Sequence, residues 1–211
     1  MEINPTEVGR QVFYKIITGT IVPRPIAWVS TVNSEGQANL APFSFFTAVA
    51  SNPPTILFCP MTRSTDGGSK DTLNNIRATG EFVVNIVTER LLEAMNITAT
   101  ELPPQVNEFE LAGLTPGKSK SVRPPRLSES PVNFECKVSQ IVEIGAGAGS
   151  GNIVIGEVLH LHIADEVLLP NYRIDTQALN PVGRLAGPNY ARVHDIISVD
   201  RPPSQITRKN N

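Results

Sequence analysis

The chain is poor in the residues that announce common chemistries. Two cysteines in 211 residues, Cys59 and Cys136, lie far apart in the apolar runs TILFCP and VNFECKV. That excludes a disulfide-rich secreted framework and a clustered thiolate metal site. Buried free thiols or one long-range disulfide are the readings left. Histidines number three. His160 and His162 alternate along one strand-like run and share a face. They are either ordinary strand-face side chains or two metal ligands with no third in view. His194, after NYAR, faces either a ligand or solvent. No G-x-S-x-G, C-x-x-C or H-E-x-x-H is present, so no serine-hydrolase elbow, dithiol or zinc-protease helix is readable. Charge is scarce too, at 18% with a net of −2, which removes any general affinity for nucleic acid or anionic membranes. No apolar run approaches the roughly 20 residues of a membrane span. MEINPTEVGR has no basic flank ahead of an apolar core, so no signal peptide is expected and the protein reads as cytoplasmic.

Punctuation, by contrast, is plentiful. Eighteen prolines and fifteen glycines fall between short runs rich in Val and Ile, the pattern of a β-rich domain. Strands are expected at Ile26–Val32, Thr55–Cys59, Phe82–Val87, Val132–Ile144 and Ile153–Ile163. Others are expected around Gly36–Ala41, Phe45–Ala50 and Ile196–Val199. Two helices interrupt them. The first covers 69–80, with Ser69 or Asp71 as cap, Leu73 and Ile76 on one face and Gly80 at the end. The second covers 88–99, with Thr88 as N-cap and Leu91, Leu92 and Met95 sharing a face. A third is possible around Thr6–Tyr14. Residues 101–131 read as a long irregular segment, functional or mobile. Because the elements interleave, a single domain over 1–200 is expected, with a disordered tail at 201–211. The glycine-rich GAGAGSG at 145–151 lacks the GK[ST] ending of a P-loop and precedes a strand, so a hairpin turn is the better reading.

The stretch RPIAWVSTVNSEGQANLAPFSFF, residues 24–46, carries an apolar wall dotted with Asn39, Ser44 and Pro42. A flat aromatic cofactor wants such a wall, with backbone N–H groups and small side chains at its polar edge. A kinked barrel strand would read the same way. SKDT opens the first helix, where unpaired N–H groups, Ser69, Thr72 and Lys70 suit a phosphate. Asp71 speaks for a plain cap instead.

RPIAWVST, NLAPFSFF, NPPTILF and KDTLNNIRATGEFVVNIV, in this order and spacing, closely resemble the flavin reductase-like family of FMN-binding split barrels. LNPVGRLAGPNYARV is similar to that family's closing motif, and the likeness runs over about residues 10–200. The resemblance implies a mainly β fold: a six-stranded antiparallel split β-barrel of Greek-key character with flanking helices. It implies a homodimer with FMN near the subunit interface, hydride transfer from NADH or NADPH to flavin, and in some members a partner oxygenase. It places Asn39, Ala41, Pro42, Phe43 and Ser44 along the isoalloxazine and ribityl chain. Ser51 and Asn52 turn back toward the phosphate, and Ser69, Lys70, Asp71 and Thr72 reach it. Arg184, Leu185, Gly187 and Tyr190 lie over the flavin or nicotinamide face. Arg24, Pro25 and Trp28 belong to the matching first strand, Trp28 either stacking near the ring or filling the core. Neither catalytic side chain nor metal is implied, because flavin N5 carries the hydride. A flavin-binding electron carrier, a flavin-binding module without turnover, or a structural dimer with an empty pocket would carry the same pattern.

Overall fold

The computed structural model describes residues 1–63, 65–103 and 105–205. Its strand β1 (Ala27–Val32) is buried along its whole length, because each face has a core of its own. Ala27 and Val29 enter one apolar cluster with Phe43, Phe58, Phe82 and Val154. Ile26 and Trp28 enter another with Leu40, Met95, Phe109 and Leu127. The Trp28 indole donates to Thr98 Oγ1 at 2.9 Å, so this ring fills the core.

Around β1 lie β2 (Ala38–Phe43), β3 (Phe46–Ser51), β4 (Pro54–Phe58), β5 (Glu81–Ile86), β6 (Val132–Ile144) and β7 (Gly151–Ile163). They form one antiparallel sheet in the order β2-β1-β5-β6-β7-β4-β3. β2 and β3 occupy opposite edges, yet only Ser44 and Phe45 separate them. Three backbone steps span at most about 11 Å, so the two edges must meet at that corner. The sheet therefore curls into a barrel, and it is split because β2 and β3 do not pair. The sheet has seven strands where the resemblance implies six. The difference is the break at Ser44–Phe45; counted as one bent strand, residues 38–51 restore six. Inside, Phe58 packs against Phe43 and Phe82 with centroids 5.2 and 5.3 Å away. Gly156 of β7 is obligatory there: a Cβ would lie 2.4 Å from Phe82 Cζ.

Helix α2 (Asp71–Thr79) plugs the barrel with Leu73 and Ile76. It ends at Gly80, whose φ of 70° is the left-handed cap expected of glycine. Its N-cap position is Lys70, without a side-chain capping bond. Three expectations are corrected. The first helix, α1, covers Arg10–Thr20 and not 6–14, because Thr6 is held in a turn by the Asn4 side-chain oxygen Oδ1, which accepts from both its N–H and its hydroxyl. The segment after Thr88 is a 3-10 turn, Glu89–Leu91, followed by α3 (Leu92–Ile97), and Thr88 makes no capping bond. Residues 196–199 join no sheet and are exposed, having no ladder partner to bury against.

The 101–131 segment is built rather than irregular throughout. A short helix, Glu108–Leu111, and a ribbon pairing Pro116–Gly117 with Arg126–Leu127 close the outer cluster. GAGAGSG is the β6–β7 turn, with Gly145, Gly147 and Gly149 at φ of 73°, 76° and 84°. Both cysteines are free, Cys136 buried and Cys59 half-buried. Of the expected tail, 201–205 are exposed without regular structure, and 206–211 lie outside the described residues. Among the described residues no helix is long and apolar enough to cross a membrane.

Candidate functional site

Helix α2 begins beside the barrel corner. Leu73 and Asn74 donate to the Lys70 carbonyl, while among the described residues the amides of Asp71 and Thr72 find no acceptor. These are the free donors of a helix start, at its positive end. Just before it, Ser69 Oγ is buried with no hydrogen-bond partner. Lys70 Nζ stands 3.9 Å from Glu101 Oε1, a loose pairing. Asp71 lines the same cavity and places a carboxylate in the helix's first turn.

β2 supplies the facing wall. Asn39 there is committed to the protein. Its carbonyl accepts from Thr72 Oγ1 at 2.7 Å and Thr31 Oγ1 at 3.4 Å, and its amide donates to Glu108 Oε1 at 2.8 Å. Asn39 and Thr72 thus fix the start of α2 against β2. Glu108 is almost fully buried and also accepts from Leu40 N–H at 3.2 Å. Burial pushes its carboxyl up, against the donors of its own backbone, Leu40 and Asn39. Sequence reasoning missed Glu108. The string NEFE gives no sign that Glu108 turns inward while Glu110 faces water; the cap at Asn107, accepting from Phe109 N at 3.0 Å, decides it.

A third element closes the corner. Arg24 is 5% exposed, yet no carboxylate among the described residues pairs with it. Its guanidinium donates to the carbonyls of Thr18 (2.6 Å), Ile21 (2.9 Å) and Leu185 (2.9 Å), and to Ser44 Oγ at 3.4 Å. One cation so ties the end of α1, the β2–β3 corner and the closing segment together. Desolvation draws its pKa down. Arg184 lies over the Tyr190 ring at 4.5 Å, bonds the Tyr190 hydroxyl and donates to the Gly187 carbonyl at 2.6 Å.

These elements enclose one groove made of three joined cavities. The first, about 90 Å³, is lined by Asn39, Ala41, Pro42, Phe43, Lys70, Asp71 and Thr72, with Arg63 and Glu108. The second, about 380 Å³, takes in Arg24, Pro42, Ser44, Arg184, Leu185 and Gly187. The third, about 460 Å³, adds Arg10, Tyr14, Lys15 and Thr18 of α1 to Arg63 and Lys70. The α1 side chains carried no sequence signal, because their role depends on where the helix packs. The glycine-rich turn borders the third cavity through Gly149 and is anchored by Thr62, which donates to the Ser150 carbonyl at 3.0 Å and the Gly147 carbonyl at 2.9 Å.

Of the expected residues, Ser51, Asn52 and Ser69 are not among the groove's lining, the Ser69 hydroxyl being buried just before α2. Ser51 and Asn52 sit at the far end of β3, at the exposed turn into β4; five residues of strand carry them about 17 Å from the Phe46 corner. Tyr190 reaches the groove only through Arg184. His162 bonds the buried Glu135 and packs edge-on against His160 at 4.8 Å, and among the described residues no cluster of three metal-ligating side chains exists. His194 is exposed beside Glu89.

Comparison with known proteins adds to this geometry. The model of the flavin reductase like domain matches residues 19–179. A protein of Halalkalibacterium halodurans is 41% identical over 99% of this chain and 100% of its own. The structure of nitrilotriacetate monooxygenase component B from Bacillus cereus superposes with a TM-score of 0.89 at 38% identity, covering 94% of this chain and 98% of that one. Pseudomonas fluorescens 2-nitrobenzoate 2-nitroreductase NbaA gives 0.85 at 32% identity, covering 97% and 100%.

Proposed function

Since the chain belongs to the flavin reductase-like family, we propose that it is a flavin oxidoreductase that holds FMN in this groove and takes a hydride from NADH or NADPH. The observation that carries the reading is the start of α2. Unpaired amides and a lysine meet at one end of a strand-lined groove, and a buried hydroxyl without a partner, that of Ser69, stands just before them in the chain. A dianionic phosphate is the ligand those groups fit, and a flat ring is what the strand beside them fits. The residues present therefore suit FMN.

When bound, FMN accepts the nicotinamide hydride and passes electrons onward. The chain's own groups bind and orient. Ser69, Lys70 and the first amides of α2 hold the phosphate. Ala41, Pro42, Phe43 and Ser44 flank the ring and ribityl chain. Asn39, Thr72 and Glu108 keep strand and helix in register. Arg24, buried without a counter-ion among the described residues, places positive potential at the corner, where it favours negative charge developing on a reduced ligand. Leu185 and Gly187 leave the open side for a nicotinamide, with Arg184 steadied by Tyr190. Alignment of two rings by such a groove accounts for several kcal/mol of barrier.

The Bacillus cereus relative is component B of a monooxygenase, which supports a partner oxygenase as one recipient of reduced flavin. A homodimer also fits. β3 is exposed at five of its six residues, and Val49 on it and Leu159 and Leu161 on β7 are exposed at 51%, 42% and 42%. A cytoplasmic location suits both a soluble electron donor and free thiols.

The test is a visible spectrum of purified protein with FMN or FAD, before and after anaerobic NADH or NADPH. A bound flavin band that bleaches is expected, with FMN bound more tightly. A bound band that never bleaches would favour an electron carrier. Absence of any bound flavin would remove the phosphate and ring assignments together.

A further inference from the structure

Four side-chain polar atoms among the described residues are buried without a partner. Ser69 Oγ lies just before the start of α2. The other three, Thr88 Oγ1, Arg126 Nε and Asn180 Oδ1, border two adjoining cavities of about 180 and 410 Å³ that share Arg90, Pro131 and Glu166. No residue of this pair of cavities lines the groove around α2. Buried polar groups in folded proteins are nearly always satisfied, and Thr88 is only 4% exposed.

The lining states what is wanted. The larger cavity carries Arg90, Lys120 and Arg126, and none of the three has an ion-pair partner among the described residues. Among the described residues Arg90 donates to the Glu129 carbonyl alone, at 2.8 Å. Two carboxylates, Glu129 and Glu166, also border it, and that of Glu129 is taken by the Thr115 N–H at 3.1 and 3.2 Å. The balance is positive. In the smaller cavity Asn180 uses its amide on Glu89 Oε2 at 3.1 Å, so its free carbonyl asks for a donor. We propose that the paired cavities are a second ligand site, for a small organic anion whose carboxylate or phosphate meets Arg90, Lys120 and Arg126. A hydroxyl or amine on the same molecule serves Asn180 and Thr88.

Amide NMR of the full chain, with and without FMN, tests this using three probes: sn-glycerol 3-phosphate, L-malate and inorganic phosphate. Saturable shifts are expected at Thr88, Arg126 and Asn180. Either glycerol 3-phosphate or malate should bind more tightly than inorganic phosphate, and which one does so separates the two anion classes. Arg126→Gln should weaken the better probe by about tenfold or more. Arg90→Gln serves as the second variant should the first fail to fold. Shifts confined to the groove around α2, no saturation by any probe, or equal affinity in the variants would overturn the site, since only water would then fill it. None of these outcomes depends on flavin binding.

Discussion

Ser69 and Lys70 are neighbours whose loss should appear in FMN affinity more than in stability. Ser69 Oγ is buried and unmet in the free protein, so Ser69→Ala removes a desolvated group that gains nothing there. Thermal stability of the flavin-free protein should hold or rise slightly, while FMN affinity falls by about 1 kcal/mol; a fall in stability with unchanged affinity would make Ser69 a structural hydroxyl. Lys70→Ala loses only a loose pairing with Glu101, so its cost should appear in FMN affinity, at about 1–3 kcal/mol for a lost charged hydrogen bond. An unchanged flavin titration would take Lys70 out of the phosphate site. Tyr190→Ala frees Arg184 without touching the helix start. Nicotinamide-dependent turnover should drop more than flavin affinity, and equal losses would count against that placement. At this scale Pro42, Ser44 and Lys70 were legible, because strand and helix-start chemistry is local. Glu108 and Arg24 were not. Their burial is set by segments many residues away, as the bond from Arg24 to the Leu185 carbonyl shows.

Among the elements, β6 holds the part of the 101–131 segment that the sequence left undefined. Glu135 of β6 is wholly buried, and its carboxylate accepts from Lys120 N–H at 2.8 Å and Ser121 N–H at 2.5 Å, with His162 on the same group. Burial pushes the Glu135 carboxyl up, but the two amides and His162 together outweigh it and hold it below the usual carboxylate range. A carboxylate with a depressed folded pKa contributes stability above its unfolded pKa, about 4.3, and loses it as pH falls through the folded value. Denaturant midpoints should therefore drop on the acid side. Glu135→Gln, which leaves one amide donor unmatched, should be less stable at neutral pH and show a flatter acid limb. Amide exchange at Lys120 and Ser121 should quicken in that variant. Parallel acid limbs would mean that the carboxylate does not govern this segment. Strand positions were readable from period-2 runs and turn residues, and β6 was read to the residue. The helix at α1 begins four residues later and ends six later than the sequence suggests, because local periodicity does not reveal the turn that holds Asn4 to Thr6.

For the whole molecule, the barrel's two outer faces are treated differently. The β1–β2 side is covered by α3, the short helix at Glu108 and the 116–127 ribbon. Over β3, among the described residues, no element covers the strand's exposed face. β3 is an edge strand with five of six residues exposed, and edges left open in this way invite pairing unless something covers them. On β7, Leu159 is the extra residue of a bulge between the Cys136–Val158 and Glu135–His160 pairs, and Leu159 and Leu161 are exposed beyond Glu157, the last β7 residue paired with β4. A second copy packed along β3 would blunt that edge, and one reaching the adjoining stretch of β7 would cover Leu159 as well, as closed two-fold assemblies do. Leu159→Lys sets a charge on that stretch while leaving both apolar clusters and every groove cavity untouched. Sedimentation should show a dimer for the parent and a shift toward monomer for the variant, with far-UV dichroism unchanged. If the monomer also loses FMN affinity, the groove is completed by the partner; if affinity persists, each barrel holds its flavin alone. A variant that remains fully dimeric would move the interface elsewhere, to the exposed apolar residues of α1 such as Val12 and Tyr14, and would leave the open β3 edge to be protected by its own bulge between Ala48 and Ala50.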